Sequence, residues 1–579
     1  MKSYVIFLGG TGSMVVQSFI RLCECGYIDR PEGIKCLIID SDEHCGNKIN
    51  AVNAIREYQE MCKLFGDRDR SIFKTKILPV NRNDPDVFFL SPTETGDSSF
   101  RLDRNIFNKN EREMYNLMKM LYPDTYSDNF VNGFFGNPSA GSLVFLDWIK
   151  SNVDGSSAKF LNKMFKDIVN DSTGDEVRVF LVASIFGGTG AAGLPVLAKA
   201  INNLDGVNLE NLKVGACMLL PYFGVADDEE GQRIDDDAFP SNAKKSLEFY
   251  YNQMNTGVFD RAYLIGDHTL NEKRAIYADK GAGQINWPSV MELIAASSIN
   301  DFLNLNEGEF PKIVEDDDKW HKKREGKWCG VGIEAETLGA IKWSDYPDSD
   351  TFKLKLQSFE RFNYMFSFRA VPLLLELNPA DADDLFVKKA PQEIPVHEIK
   401  WLNNFVKQGE ASFIEHTFKG IPHSTYNRWY KNPICTIAVS KIYRYLEKSA
   451  EFFFKMSNAY TKEPLCNGCA KACGVNNALS ILSCVDVDCI LPNLYNREPL
   501  LARACFLSFL QQSATKQHFS TFCSEVVDAL FKSNNKALKV DCRTIDSMEM
   551  GGGQASSSEK AAVELALSVY ATALKHSPA

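Results

Sequence analysis

No stretch of the sequence reaches the roughly 18 uninterrupted apolar residues of a membrane-spanning helix, and the N-terminus MKSYVIFLGG lacks the length and the small-residue cleavage site of a secretory signal. Positive charge is also in short supply. The 64 Lys+Arg stand against 75 Asp+Glu, a net charge of -11, which leaves no global field to draw the chain onto nucleic acid or an anionic membrane. There are only 8 histidines, no Ser/His/Asp or Cys/His constellation stands out, and His44 and His321 lie in polar surroundings where exposure is expected. None of the glycine loops is followed by the lysine of GxxxxGK[ST], which disfavours Walker-type ATPase, Ras-like and kinase readings. The 16 cysteines are scattered, and without a secretory signal they are expected to be reduced thiols rather than a disulfide framework. These absences lead us to expect a soluble, cytoplasmic protein with no nucleic-acid partner and no membrane span.

What is present is a chain of 579 residues with 45% hydrophobic content, too long for one core and apolar enough for two or three domains. Tyr4 to Leu8, Cys36 to Ile39, Val177 to Ile185, Val214 to Leu220 and Arg261 to Ile265 are continuous apolar runs. They alternate with helical spacing at Met14 to Cys23 and Pro195 to Ile201, the pattern of a doubly wound parallel sheet covered on both faces. Ile285 to Leu303 reads as a buried central helix. The expected organisation is a nucleotide-binding domain over 1–305, a second α+β domain over 306–460 and a mainly helical extension over 461–579. The charged stretch before Trp328 marks the boundary region, and the long polar and aromatic insertion at about 60–130 is assigned no chemistry. In the extension, Val563, Leu567, Tyr570 and Leu574 share a helix face that either docks on its own protein or recruits a partner, and docking is favoured.

A glycine turn between strand and helix lets backbone N–H groups approach phosphate oxygens, and the helix N-terminus adds partial positive charge. The sequence holds three: Gly9-Gly10-Thr11-Gly12-Ser13, Gly133 to Asn137, and Gly187-Gly188-Thr189-Gly190. Each alone could be steric; their order carries the information.

In that order the residues resemble the tubulin/FtsZ GTPases over roughly the first 300 positions. VIFLGGTGSMVV (Val5 to Val16) is similar to the first strand and phosphate loop. Asp40-Ser41-Asp42 matches the loop after the second strand, and Gly133 to Gly141, through Gly136 and Asn137, resembles the loop that senses the γ-phosphate. Ser184 to Pro195, containing Phe186-Gly187-Gly188-Thr189-Gly190, resembles the signature GGGTGTGxxP; Phe186 replaces its first glycine and Ala191-Ala192 its Thr/Ser-Gly continuation. Glu230 and Arg233, after Leu220-Pro221-Tyr222, are similar to the ribose region, and Asn242 and Asn286 fall where the family's guanine-reading asparagines are expected. An amide carries the donor and acceptor that the guanine edge requires; an N-cap or surface amide is the alternative at each position.

The resemblance implies bound GTP or GDP with Mg²⁺, self-association into filaments or oligomers, and hydrolysis completed between subunits by an acidic loop. Asp345 and Asp348, in the segment Ile341 to Asp348, are the catalytic candidates, with a plain turn as the alternative. The acidic run Glu315 to Asp318 reads as a solvated loop. Two other readings stay open: a non-hydrolysing nucleotide-binding scaffold or regulator, and an NAD(P)-dependent oxidoreductase using Leu8 to Gly12 with Asp40. Cys466, Cys469 and Cys473 could close a zinc site, but their spacing departs from a paired CxxC ribbon and buried inert thiols are favoured.

Overall fold

The run Tyr4 to Leu8 is buried along its whole length, as a strand in the middle of a parallel sheet must be. A computed structural model of the chain describes residues 1–66, 71–80, 87–93, 102, 112–121, 130, 133–134, 136–150, 157–225, 239–254, 258–266, 275–277, 286, 288–311, 313–315, 322–324, 327–332 and 349–366, with isolated helical positions in 441–452 and 563–571. In chain order the elements are β1 (Lys2–Leu8), α1 (Gly9–Glu24), β2 (Ile34–Ile39), α2 (Gly46–Phe65), β3 (Ile77–Pro79), β4 (Phe89–Leu90) and α3 (Arg112–Leu121). There follow α4 (Pro138–Lys150), α5 (Ser157–Ser172), β5 (Val177–Ser184), α6 (Thr189–Asn202), β6 (Leu212–Leu219), β7 (Phe223–Val225) and α7 (Phe239–Met254). The series ends with β8 (Arg261–Gly266), β9 (Ala275–Tyr277), α8 (Val290–Asn304), β10 (Ile313–Glu315), β11 (Lys322–Arg324), β12 (Lys327–Gly332) and α9 (Ser349–Met365).

The main sheet runs β12-β8-β6-β5-β1-β2-β3, with β4 also paired to β2, and every pairing in it is parallel. Val5 of β1 sits opposite Cys36 on one side and Phe180 on the other. On one face Tyr4, Ile6 and Leu8 pack with Val144 and Phe145 of α4, Leu161 of α5 and Leu197 of α6. On the other, Phe7 meets Phe19 of α1 and Phe180 meets Phe302 of α8, with ring centroids 5.6 and 5.1 Å apart. The result is the expected α/β layering. The strand order reverses between β1 and β5, and in such sheets the crevice at the carboxyl ends of those strands is where ligands bind.

Several boundaries differ from the sequence expectation for local reasons. α1 starts at Gly9, so the first glycine loop is itself the first helical turn. α6 starts at Thr189 and keeps Pro195 inside it. α8 starts at Val290 instead of Ile285, because Ser289 and Glu292 form a capping box there. Within the insertion, β3 and β4 add to the sheet beside β2. Trp328 lies in β12, paired with β8, so the sheet continues past the charged stretch. Glu315 ends β10, in an antiparallel pairing with β11; Asp316, Asp317 and Asp318 lie outside the described residues.

The chain divides into two compact units, Met1–Gln59 with Lys74–Ser349, and Glu60–Phe73 with Asp350–Ala579. In the second, Phe352, Leu356 and Phe359 form the buried stripe of α9, and Phe359 stands edge-on to Phe73 at 5.8 Å. Phe362 packs on Tyr570 at 5.7 Å, and Val563 and Tyr570, on the expected final helix face, are buried within this unit. Among the described residues no helix is long and apolar enough to cross a membrane.

Candidate functional site

Three turns and one acidic loop meet at the carboxyl ends of β1, β2 and β5. Gly9 follows β1 directly with φ +73°, and a Cβ there would lie 3.3 Å from both Gly190 N and Thr189 Cβ. Glycine is favoured there by the backbone conformation, and the second loop presses close on it. No side-chain hydrogen bond caps the start of α1 or of α6. The first turn of each helix therefore lacks the side-chain acceptor that usually caps it. The Ser13 hydroxyl donates to Gly9 O at 3.1 Å and is turned back into its own helix.

The third turn joins the second. A Cβ on Gly188 would lie 2.9 Å from Phe134 Cβ and 3.2 Å from Gly136 N. Gly136 has φ +73° with nothing within 4 Å of its missing Cβ, so glycine serves conformation there and leaves the surface open. The two helices behind these turns approach closely: a Cβ on Gly141 would meet Ala192 Cβ at 2.7 Å, and one on Gly193 would meet the Phe145 ring at 2.6 Å. Ala192, where the resembled signature departs, is thus buried against α4. Asn137 Oδ1 accepts from Ala140 N at 3.1 Å, with Pro138 as the first residue of α4, an N-cap arrangement. Gly10, Gly136, Asn137, Gly187 and Gly188 keep partial exposure, while Thr11, Gly12, Ser13, Thr189 and Gly190 are buried beneath them.

The acidic loop closes one side. Thr189 Oγ1 donates to Asp40 Oδ1 at 3.2 Å and lies 3.2 Å from Ser41 Oγ. Asp42 Oδ1 accepts from His44 N at 2.9 Å, a local turn. Burial pushes the Asp40 carboxyl up to about 7, the nearby Asp42 charge adds to this, and hydrogen bonds from Asp42 N–H and Thr189 oppose it.

Phe186 sits in the second loop with its side chain buried in an aromatic cluster, 4.8 Å from Phe239 and 5.5 Å from Phe223. What it can offer a ligand is its backbone. Ala243 packs in the same cluster and Ser246 Oγ donates to Ile185 O at 2.6 Å, which ties α7 to the second loop. Asn242 is half-buried in the first turn of α7, next to Ala243. Asn286 is half-buried beside the start of α2, its N–H donating to Asn47 Oδ1 at 3.2 Å. Tyr222 donates to Glu292 Oε1 at 2.7 Å, while Glu292 Oε2 accepts from Ser289 N, linking the segment after β6 to α8. Glu230, Arg233, Asp345, Asp348, Cys466, Cys469 and Cys473 lie outside the described residues.

No family model matches the chain, and no curated protein is significantly similar to it. Any function is therefore read from the arrangement of the residues themselves.

That arrangement includes Ser91 and Thr93, which the sequence did not single out, and gives Ser41 a role it did not assign. Ser41 and Thr93 join the acidic loop to its surroundings: Thr93 Oγ1 donates to Ser41 O at 3.2 Å and lies 3.0 Å from Ser91 Oγ. Ser91-Pro92-Thr93 directly after the apolar Phe89-Leu90 was a turn signal at a strand end, the available hint. Among the described residues no three His, Cys, Asp or Glu side chains gather to hold a metal ion.

Proposed function

We propose that the chain binds a guanine nucleotide in a tubulin/FtsZ-like manner, with the phosphates against Gly10, Gly136 and Gly187 to Gly188. One observation carries this reading: Thr189 and Gly190 press on Gly9 while Gly188 presses on Gly136, so three glycine turns without a lysine form one surface at the reversal of strand order. Backbone amides and uncapped helix starts would meet the phosphate charge. Mg²⁺ fits as an ion carried by the phosphates and completed by water, since it needs few protein ligands. Asn242, on the helix packed against the second loop, and Asn286, hydrogen-bonded through its N–H to Asn47 at the start of α2, are the candidate readers of the base.

The proposal extends to self-association, with hydrolysis completed between subunits through Asp345 and Asp348. Phosphate release per molecule that rises with protein concentration tests this extension; nucleotide retained intact at all concentrations would leave the scaffold reading in its place.

A second reading, a dinucleotide-dependent oxidoreductase, is favoured by the strand order and by Asp40 immediately after β2. Against it, Asp40 is buried and bonded to Thr189, where a ribose-binding carboxylate needs to face the ligand. Thermal protection by GTP but not by NADH decides for the guanine-nucleotide site, and the reverse decides for the oxidoreductase.

A further inference from the structure

Buried hydroxyls connect the insertion to the acidic loop with a defined donor direction. Thr93 Oγ1 donates its one proton to Ser41 O at 3.2 Å, so the 3.0 Å contact between Ser91 Oγ and Thr93 Oγ1 has Ser91 as donor. Thr189 Oγ1 donates to Asp40 Oδ1 at 3.2 Å, so when Asp40 is ionised the 3.2 Å contact between Ser41 Oγ and Thr189 Oγ1 has Ser41 as donor. The far end is anchored as well: Ser157 Oγ donates to Ser91 O at 2.6 Å, and Trp148 Nε1 donates to Ser157 Oγ at 3.0 Å. Asp40, Ser41, Ser91, Thr93, Ser157, Thr189 and Trp148 are all buried, so each bond is shielded from competing water.

We infer that Thr93 is a positioning residue for the proposed phosphate site: by holding the Ser41 carbonyl it aims the Ser41 hydroxyl at Thr189, which in turn faces Asp40. What the site binds rests on the guanine-nucleotide reading; the hydroxyl chain does not. The segment Ser91 to Thr93 thereby gives the insertion a task, bracing the acidic loop at the end of β2. Among the described residues, the titratable groups coupled to Asp40 are Asp42, on its own loop, and Cys45, whose thiol burial pushes up to about 12 and so keeps neutral. Lys48 is engaged elsewhere, with the Glu43 carbonyl and over the Phe89 ring. Thr189 from α6, the glycines of α1 and Ser91 to Thr93 bring no charge.

The test compares Thr93→Val with Thr93→Ser in the full chain. Each is also paired with Asp40→Asn, and the melting-temperature difference within each pair, followed against pH, reports the titration of Asp40 without any ligand. Thr93→Val should move the midpoint of that titration upward, because the carboxylate loses Thr189 as a steady donor, and Thr93→Ser should leave it near its original place. GTP affinity should fall about five- to tenfold in Thr93→Val and recover in Thr93→Ser. An unmoved midpoint in Thr93→Val, or Thr93→Ser behaving like Thr93→Val, overturns the inference. If the unsubstituted protein binds no GTP, the guanine-nucleotide reading fails while the titration comparison still decides the role of Thr93.

Discussion

Thr189 reaches over the end of β1 to hydrogen-bond Asp40 at 3.2 Å, with Gly9 directly beneath it. Asp40 follows β2 and Thr189 follows β5, the two strands that flank β1, so this one bond joins three strand ends across the reversal of strand order. A side chain at Gly9 would be strained by the positive φ and would press on that crossing at 3.3 Å.

Gly9→Ala should therefore cost about 1–2 kcal/mol of stability from the left-handed backbone alone. The added methyl, 3.3 Å from Gly190 N and Thr189 Cβ, should also loosen the Thr189 crossing and weaken nucleotide binding. Thermal unfolding together with a GTP titration checks both parts.

Asp40→Asn should change how stability depends on pH. Burial pushes the folded carboxyl up to about 7, well above the ordinary carboxylate range. A group raised in the folded state contributes stability that is fully present below its unfolded value and is lost as pH rises through the folded one. Relative to Asp40→Asn, the unsubstituted protein should lose stability between about pH 4 and pH 7, by up to roughly 4 kcal/mol, and then level off. Melting temperatures of the two proteins across that window measure it; parallel curves would show that Asp40 does not titrate there.

Gly188 and Gly136 separate packing from conformation. Gly188→Ala places a methyl 2.9 Å from Phe134 Cβ and should push the third turn off the second, reducing nucleotide affinity more than stability. Gly136→Ala meets open space and should cost about 1 kcal/mol through its positive φ. Affinity and melting temperature measured for both variants should show the larger affinity loss in Gly188→Ala and an affinity close to the unsubstituted value in Gly136→Ala.

Phe186→Ala should cost about 3–5 kcal/mol by opening a cavity between Phe223 and Phe239. Because α7 packs on that cluster, Asn242 should lose its fixed place, and discrimination between GTP and ATP should weaken along with stability in a thermal-protection assay.

These residues also show how far the sequence could be read. The α/β layering was legible because strands buried on both faces carry continuous apolar runs, and the glycine turns were legible because glycine marks both φ above zero and close approach. The role of Phe186 was not: the resemblance places it in the phosphate signature, but its ring answers to aromatic partners some 40 and 50 residues downstream, Phe223 and Phe239. The Asn137 side chain serves as an N-cap, an alternative weighed in sequence for Asn242 and Asn286 instead. Ser91 and Thr93 were out of reach, since a hydroxyl shows its partner only when the fold brings a carbonyl to it. The short strands β3 and β4 escaped notice because two or three residues make no periodic signal.

Calorimetric titration of the full chain with GTP, ATP and NADH, each with Mg²⁺, tests the central claim most directly. The account predicts saturable binding of GTP, at least about tenfold tighter than ATP, a difference of ~1.4 kcal/mol, with no binding of NADH. Binding of NADH without GTP, or of none of the three, would contradict it.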